Sequence, residues 1–464
     1  MISRSTGTGP SRRQWLFLVC VFLLSLPAVT PRIYSSDEIQ YFAYLRSMWF
    51  DRDLSFENEY VHFYDRGIAR SDGFHETFLE RTTETGRRIN FGTIGCAILW
   101  TPFYAAGHLA AGIAGSPQDG YSKPYLAAVA YGSAVYGFLA LVLAIRCAQR
   151  LGVNGFAAGV AVWLGTPLLF YMYVAPPFSH ACSAFTVALF TYVWLRVRES
   201  WSVRGFAALG AAGALMAMTR EQDVFFIAAP ALDWLLSEVR RPASDLLRGG
   251  AGGWLGPVAA AACFLAAYAP QLLAYKVLNG HFGPHASVAN KMKWYAPHAL
   301  QVLFSPEHGY FVWTPLAALA LAGLVLAIPM RGGLYKHAEV ALPLLVMFLL
   351  QVYISGSVES WTVAGGFGQR RFVALTTVLV IGLASVFALP LRRRWLLGAV
   401  TAIAVYWNVA LTAEFATGLM DRQKLEPAKN AYAAFVTLPR MGPGLAYRYL
   451  FDRQSFYRAN SVPR

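Results

Sequence analysis

The chain alternates long apolar runs with short polar links rich in arginine. A membrane-crossing helix needs about 20 mostly apolar residues. Runs of this kind predict spans over 14–30, 124–146, 153–175, 180–197, 203–219, 222–237, 251–277, 311–330, 338–355, 371–390 and 395–413. One further stretch, "FGTIGCAILWTPFYAAGHLAAGIAG" at 91–115, is ambiguous. The fold class is therefore all-α: a polytopic transmembrane helical bundle of about 11 spans.

The basic clusters decide how 91–115 is read. They are Arg12/Arg13, Arg146/Arg150, Arg196/Arg198/Arg204, Arg240/Arg241/Arg248, Arg331/Lys336 and Arg392/Arg393/Arg394. Lysine and arginine collect in cytoplasmic loops. All six clusters fall on that side only if 91–115 does not fully cross. It is expected to be an interfacial or re-entrant helix, a role that fits its Pro102, its glycines and His108. The N-terminus is then inside and the C-terminus outside. Residues 1–413 form one membrane module with a long first external loop, 31–123, and a second external segment, 279–310. Residues 414–464 form an external tail. The first loop is expected to carry amphipathic surface helices, since Ile39, Phe42 and Trp49 fall roughly on one face after "TPRIYSSDE". The first apolar run resembles a secretion signal but is read as an uncleaved helix, because many spans follow.

Composition narrows the class. Of 464 residues, 56% are hydrophobic and 14% charged, against about 25% charged in soluble domains. The net charge of +14 would suit nucleic acid, but the basic residues sit in short clusters with no stripe of interleaved aromatics. No nucleic-acid partner is expected; the bilayer is. Cys20, Cys96, Cys147, Cys182 and Cys263 show neither metal spacing nor a disulfide framework and read as small buried hydrophobes.

Polar residues that topology does not demand converge on the external side. They are Asp37 and Glu38; Arg87, Arg88 and Asn90 in "ETGRRINFG"; His180; Arg220, Glu221 and Asp223; Glu307 and His308 in "LFSPEHGYFVWTP"; and Glu359, Gln369, Arg370 and Arg371 in "VESWTVAGGFGQRRF". External cations near spans point to an anionic partner. Each feature also has a plain structural reading. Ser35 to Glu38 fits the S-x-x-E capping box, and a helix N-terminus keeps a carboxylate ionised, as a base requires. His180 reads as a helix-end histidine, "TREQD" as a turn with a local ion pair, and "SPEHGY" as a turn before a span. His281 and His285 are no helical zinc pair, because Gly283 and Pro284 intervene. "GGFGQRR" is not a nucleotide phosphate loop, yet its glycines permit close backbone approach and its arginines suit phosphate.

An enzyme using a lipid-linked sugar needs this kit. The isoprenoid stays in the bilayer, cations hold its phosphate at the boundary, and a carboxylate just outside a span takes the acceptor proton. The blocks "SSDEIQYFAYLRSM", "GRRINFGTIGCAILWTPFY", "LFSPEHGYFVWTPL" and "GGFGQRRF" resemble those of the GT-C superfamily of membrane glycosyltransferases, in its protein O-mannosyltransferase-like and aminoarabinose-transferase-like branches. The resemblance implies a catalytic Asp37 with Glu38 secondary. It implies donor-phosphate contacts from Arg87, Arg88, Gln369, Arg370 and Arg371. The remaining cleft residues would be His180, Arg220, Asp223, Glu307, His308 and Glu359. The usual basic-Pro-Pro-Leu form is missing where Arg88 stands. The expected partners are a polyprenyl-phosphate-sugar donor and an acceptor protein, lipid or glycan. No cofactor or metal ligand is expected, since "APPFSHA" lacks D-x-D, although the superfamily includes divalent-metal-dependent members. The implied reaction is inverting transfer on the extracytoplasmic face of a bacterial inner membrane. The rival readings are a transporter or flippase of lipid-linked sugars, a non-catalytic membrane assembly protein, and an oligosaccharide ligase or polymerase. The first would place polar groups at mid-bilayer depth.

Overall fold

A computed structural model describes residues 9–69, 71–239, 253–328, 338–363 and 365–453. The Arg240/Arg241/Arg248 and Arg331/Lys336 clusters lie outside the described residues, as does the end of the tail. Among the described residues regular structure is helical, and Thr82 and Arg88 form an isolated antiparallel bridge. Six helices among the described residues are long and apolar enough to cross a membrane: Gly95–Ile113, Lys123–Arg150, His180–Val197, Leu255–Asn279, Arg370–Ala388 and Arg394–Thr417. Four shorter apolar helices accompany them, Phe156–Gly165, Val203–Thr219, Pro315–Ala327 and Ala341–Ser357. Large apolar side chains stand exposed along Leu255–Asn279 (Val258, Leu265, Leu273) and Arg394–Thr417 (Trp395, Val400, Ile403), as lipid-facing surfaces do. The chain is an integral membrane protein.

Prolines break two of the predicted spans. The residue before a proline is pushed out of the α region. Thr166 is extended there and Thr314, at φ −131° and ψ 68°, is likewise out of the α region, so 153–175 splits into Phe156–Gly165 and Leu168–Tyr173, and 311–330 into Tyr310–Trp313 and Pro315–Ala327. The stretch at 91–115, expected at the interface, folds as one helix with Pro102 inside it and has the length of a crossing.

The chain divides by compactness into two discontinuous units. One comprises Thr30–Ala140 and Ala175–Lys293 and holds the first loop. Its centre is the helix Ser36–Arg46, in which Ile39, Phe42, Ala43, Tyr44 and Leu45 are all buried, leaving Ser36, Asp37 and Tyr41 partly open. Edge-to-face aromatic contacts fasten it, with Phe42 at 5.7 Å from Phe63 and 6.2 Å from Tyr104. Arg46 is anchored by the buried Glu59 at 3.0 Å and by Asp51, and its guanidinium lies over the Tyr121 ring at 4.9 Å. The end of the first loop is tied to the same helix. The Phe91 N–H donates to Gln40 Oε1 (2.7 Å), and Asn90 Nδ2 donates to the Gln40 carbonyl (3.0 Å). The turn at Gly86, which has the positive φ of 77°, is held by Thr83 and Thr85 hydroxyls donating to the Leu278 carbonyl.

The other unit comprises Met1–Val29, Leu141–Val174 and Trp294–Arg464. Small residues let the backbones of Pro315–Ala327 and Thr376–Ala388 meet at Gly323 and Gly382. The tail packs within this unit: Asn430 Nδ2 donates to Glu414 (2.6 Å), and the Tyr449 hydroxyl donates to the Ala28 carbonyl (2.9 Å).

Candidate functional site

The two adjacent carboxylates separate completely. Glu38 closes the capping box: its Oε2 accepts the Tyr34 and Ser35 N–H groups at 2.8 and 3.0 Å, while Ser35 Oγ accepts the Glu38 N–H at 3.3 Å. Glu38 is fully buried, and burial pushes its carboxyl up to about 8 against the pull of those hydrogen bonds. This geometry makes Glu38 the cap of the helix. Asp37, one residue earlier, lines a polar cavity of about 670 Å3. Ser36, Gln40, Thr77, Phe78, Phe91 and Lys291 are among the other residues of its wall.

A cationic cluster lies in the same unit. Arg220 ends the helix Val203–Thr219 in extended conformation. Its guanidinium donates to His180 Nδ1 and to Gln222 Oε1 at 3.2 Å. A guanidinium only donates, so Nδ1 is the acceptor and the His180 proton sits on Nε2. No carboxylate forms an ion pair with Arg220 among the described residues. His180 opens the helix His180–Val197 as expected and stacks on Phe178. Asp223 is buried and accepts the Ser183 hydroxyl at 2.6 Å. Tyr41, one helical turn after Asp37, feels both groups. Burial pushes its hydroxyl up to about 12, the Arg220 guanidinium pulls it down, and Asp37 adds to the rise.

Arg88 does not line the cavity. Its guanidinium pairs with Glu57 at 2.7 Å and donates to the Glu80 carbonyl, which stitches the first loop to itself. Arg87, half-buried, contributes its carbonyl to the Thr83 N–H in the same turn. In "ETGRRINFG", read from the sequence as a phosphate grip, the Arg88 charge is paired with Glu57 in this structure.

Gln369, Arg370, Arg371, Glu307, His308 and Glu359 all fall in the other unit, where five of them meet through two loops. His308 Nε2 lies 3.0 Å from the Gly366 carbonyl and its ring stacks on Trp313 at 5.0 Å. Buried Gln369 donates to the His308 and Trp361 carbonyls, and Arg371 donates to the Ser360 carbonyl at 3.1 Å. The Glu307 carbonyl accepts Trp313 Nε1. Gln369 and Arg371 therefore clamp loops. Burial lowers the His308 imidazole to about 4, helped by the Arg370 charge and opposed by the Gly366 carbonyl. Glu359 is exposed on the same loop. Among the described residues no group of three or more His, Cys, Asp or Glu is placed to hold a metal ion. Cys96, Cys147 and Cys182 are buried free thiols, Cys263 is half-buried and Cys20 exposed.

Similarity to solved structures decides the architecture. ArnT from Cupriavidus metallidurans, a GT-C glycosyltransferase solved bound to undecaprenyl phosphate, superposes with a TM-score of 0.52 at 17% identity, over 97% of this chain and 74% of ArnT. The chain has a GT-C-like fold. The apo state of the same ArnT gives 0.52 at 16% identity, over 96% and 73%. No family model and no curated protein matches the chain by sequence.

Within this GT-C-like fold, sequence reading missed Tyr41, Lys291 and the Gln40–Asn90–Phe91 tie. Tyr41 was findable, because i and i+4 share a helix face. Lys291 was not, since it reaches Asp37's cavity from more than 250 positions away.

Proposed function

We propose that the protein is a membrane glycosyltransferase that moves a sugar from a polyprenyl-phosphate donor to an acceptor hydroxyl on the extracytoplasmic face. The observation that carries this reading is Asp37 in a polar cavity at a capped helix end, with Arg220 in the same unit and Tyr41 under the influence of both. The GT-C-like fold supports it.

Asp37 takes the proton of the acceptor hydroxyl, whose oxygen attacks the anomeric carbon. The bond from that carbon to the phosphate oxygen breaks, and the electron pair leaves with the polyprenyl phosphate. Configuration at the carbon inverts. Arg220 offers its charge to the leaving phosphate, with His180 orienting the guanidinium. Arg370 is a further candidate for phosphate.

The test is transfer of a radiolabelled sugar from crude polyprenyl-phosphate donors in proteoliposomes. Wild type is compared with Asp37→Asn, Arg220→Ala and Arg370→Ala. Loss in Asp37→Asn and Arg220→Ala supports the assignment. Equal turnover in all four ends it.

A further inference from the structure

We infer that the acceptor is a carbohydrate, and that the cavity beside Asp37 holds its ring so that one hydroxyl meets that carboxylate. This rests on the glycosyltransferase reading and specifies the substrate class of the same site.

Size is the first argument. The cavity of about 670 Å3 lies in the range of small-molecule sites and has room for one or two sugar rings. Chemistry is the second. Such sites are usually lined mainly by apolar groups, whereas the exposed lining here is mostly polar. The hydroxyls of Ser36 and Thr77 make no hydrogen bond to the described residues. Both carry donor and acceptor capacity that a polyhydroxylated ring would satisfy. Gln40, by contrast, spends its amide on Ser36 and Phe91 and forms fixed wall.

The third argument is the pairing of polar and aromatic surface. Phe91 lines the cavity, with Phe78 at 5.9 Å in edge contact. The Lys291 ammonium lies 4.9 Å over the Phe91 ring and makes no ion pair among the described residues. A pyranose has an apolar C–H face and a rim of hydroxyls, and so matches an aromatic wall beside hydroxyl and ammonium donors. A lipid alcohol would bring hydrocarbon against polar groups and leave them unsatisfied. A peptide serine brings backbone amides beside its one hydroxyl, but no apolar ring face to lie against Phe91. In the reaction the ring hydroxyl gives its proton to Asp37, and its oxygen forms the new glycosidic bond as the polyprenyl phosphate departs.

The experiment is saturation-transfer-difference NMR on the full chain in lipid nanodiscs, free of sugar-based detergent and without donor. The probes are methyl glycosides of glucose, galactose, mannose and N-acetylglucosamine, alongside a serine-containing octapeptide. At least one glycoside is expected to show saturation, and the peptide none. In the Ser36→Ala/Thr77→Val double variant the glycoside signal should fall roughly tenfold, as two lost hydrogen bonds imply. Size-exclusion and helical circular dichroism establish that this variant is folded, and Phe91→Leu supplies an independent second loss. Asp37→Asn should still bind glycoside while losing transfer. Transfer onto the peptide with no glycoside saturation would overturn the inference and leave the transferase reading standing. Glycoside binding with no transfer from any polyprenyl donor would overturn the transferase reading and the acceptor role with it, yet leave the sugar site. Equal glycoside signals in wild type and both variants would overturn the site itself.

Discussion

Ser35 and Glu38 cap each other's backbone N–H groups, at 3.3 Å and 3.0 Å, and so commit Glu38 to structure while Asp37 lines the cavity. Neighbouring acids in the sequence thus have different surroundings. Asp37→Asn should abolish sugar transfer and leave the thermal midpoint nearly unchanged. Ser35→Ala should cost about 1 kcal/mol of stability, the usual worth of an N-cap. A differential-scanning measurement beside the transfer assay separates the two. Reversed effects would refute the division of labour.

Glu38 should also impose a pH dependence on stability. Its folded carboxyl is raised to about 8 from an ordinary 4.5, so the folded state favours the protonated form. The associated stabilisation is fully present below pH 4.5 and is lost as pH rises through 8. Glu38→Gln mimics the protonated acid and lacks that loss. Thermal midpoints in nanodiscs from pH 5 to pH 9 should therefore fall for wild type relative to Glu38→Gln. A constant difference across the range would contradict the burial argument.

Arg88 and Arg220 should behave differently. Arg88 is spent on Glu57 in a partly exposed pair worth about 0–1 kcal/mol, so Arg88→Ala should leave transfer within a few-fold of wild type. Arg220→Ala should lower kcat by roughly a hundredfold, the scale of one lost electrostatic contact to developing charge. Steady-state kinetics on both variants checks this.

Gly95 tests the packing of the membrane core in the unit that holds Asp37. A Cβ there would run into the Met218–Thr219 backbone, which has no flexible end to move aside. Gly95→Ala should destabilise by about 1–3 kcal/mol, the range for overpacking. An unchanged unfolding midpoint would mean the approach is looser than described.

Sidedness can be read directly. In a cysteine-free background, Glu84→Cys in the first loop and Arg392→Cys in a basic cluster should react with an impermeant maleimide from opposite faces of oriented vesicles. Labelling from the same face would overturn the charge-parity reading and the extracytoplasmic site with it.

Local order determined what the sequence disclosed. Apolar run length gave the membrane helices, because a helix buries its own backbone hydrogen bonds and needs only enough apolar residues to cross. The S-x-x-E spacing gave the cap at Ser35, because both partners lie within one turn. His180 at a helix start was legible for the same reason. What each charged group finally does depends on partners far along the chain. Glu57 takes Arg88, Ser360 takes Arg371, His180 meets Arg220, and Lys291 reaches the wall beside Asp37. Spacing within a short motif carries no record of those partners, since a charge is directed by whatever the packed helices bring within a few ångströms of it. Only the tertiary structure decided which partner each of these groups meets.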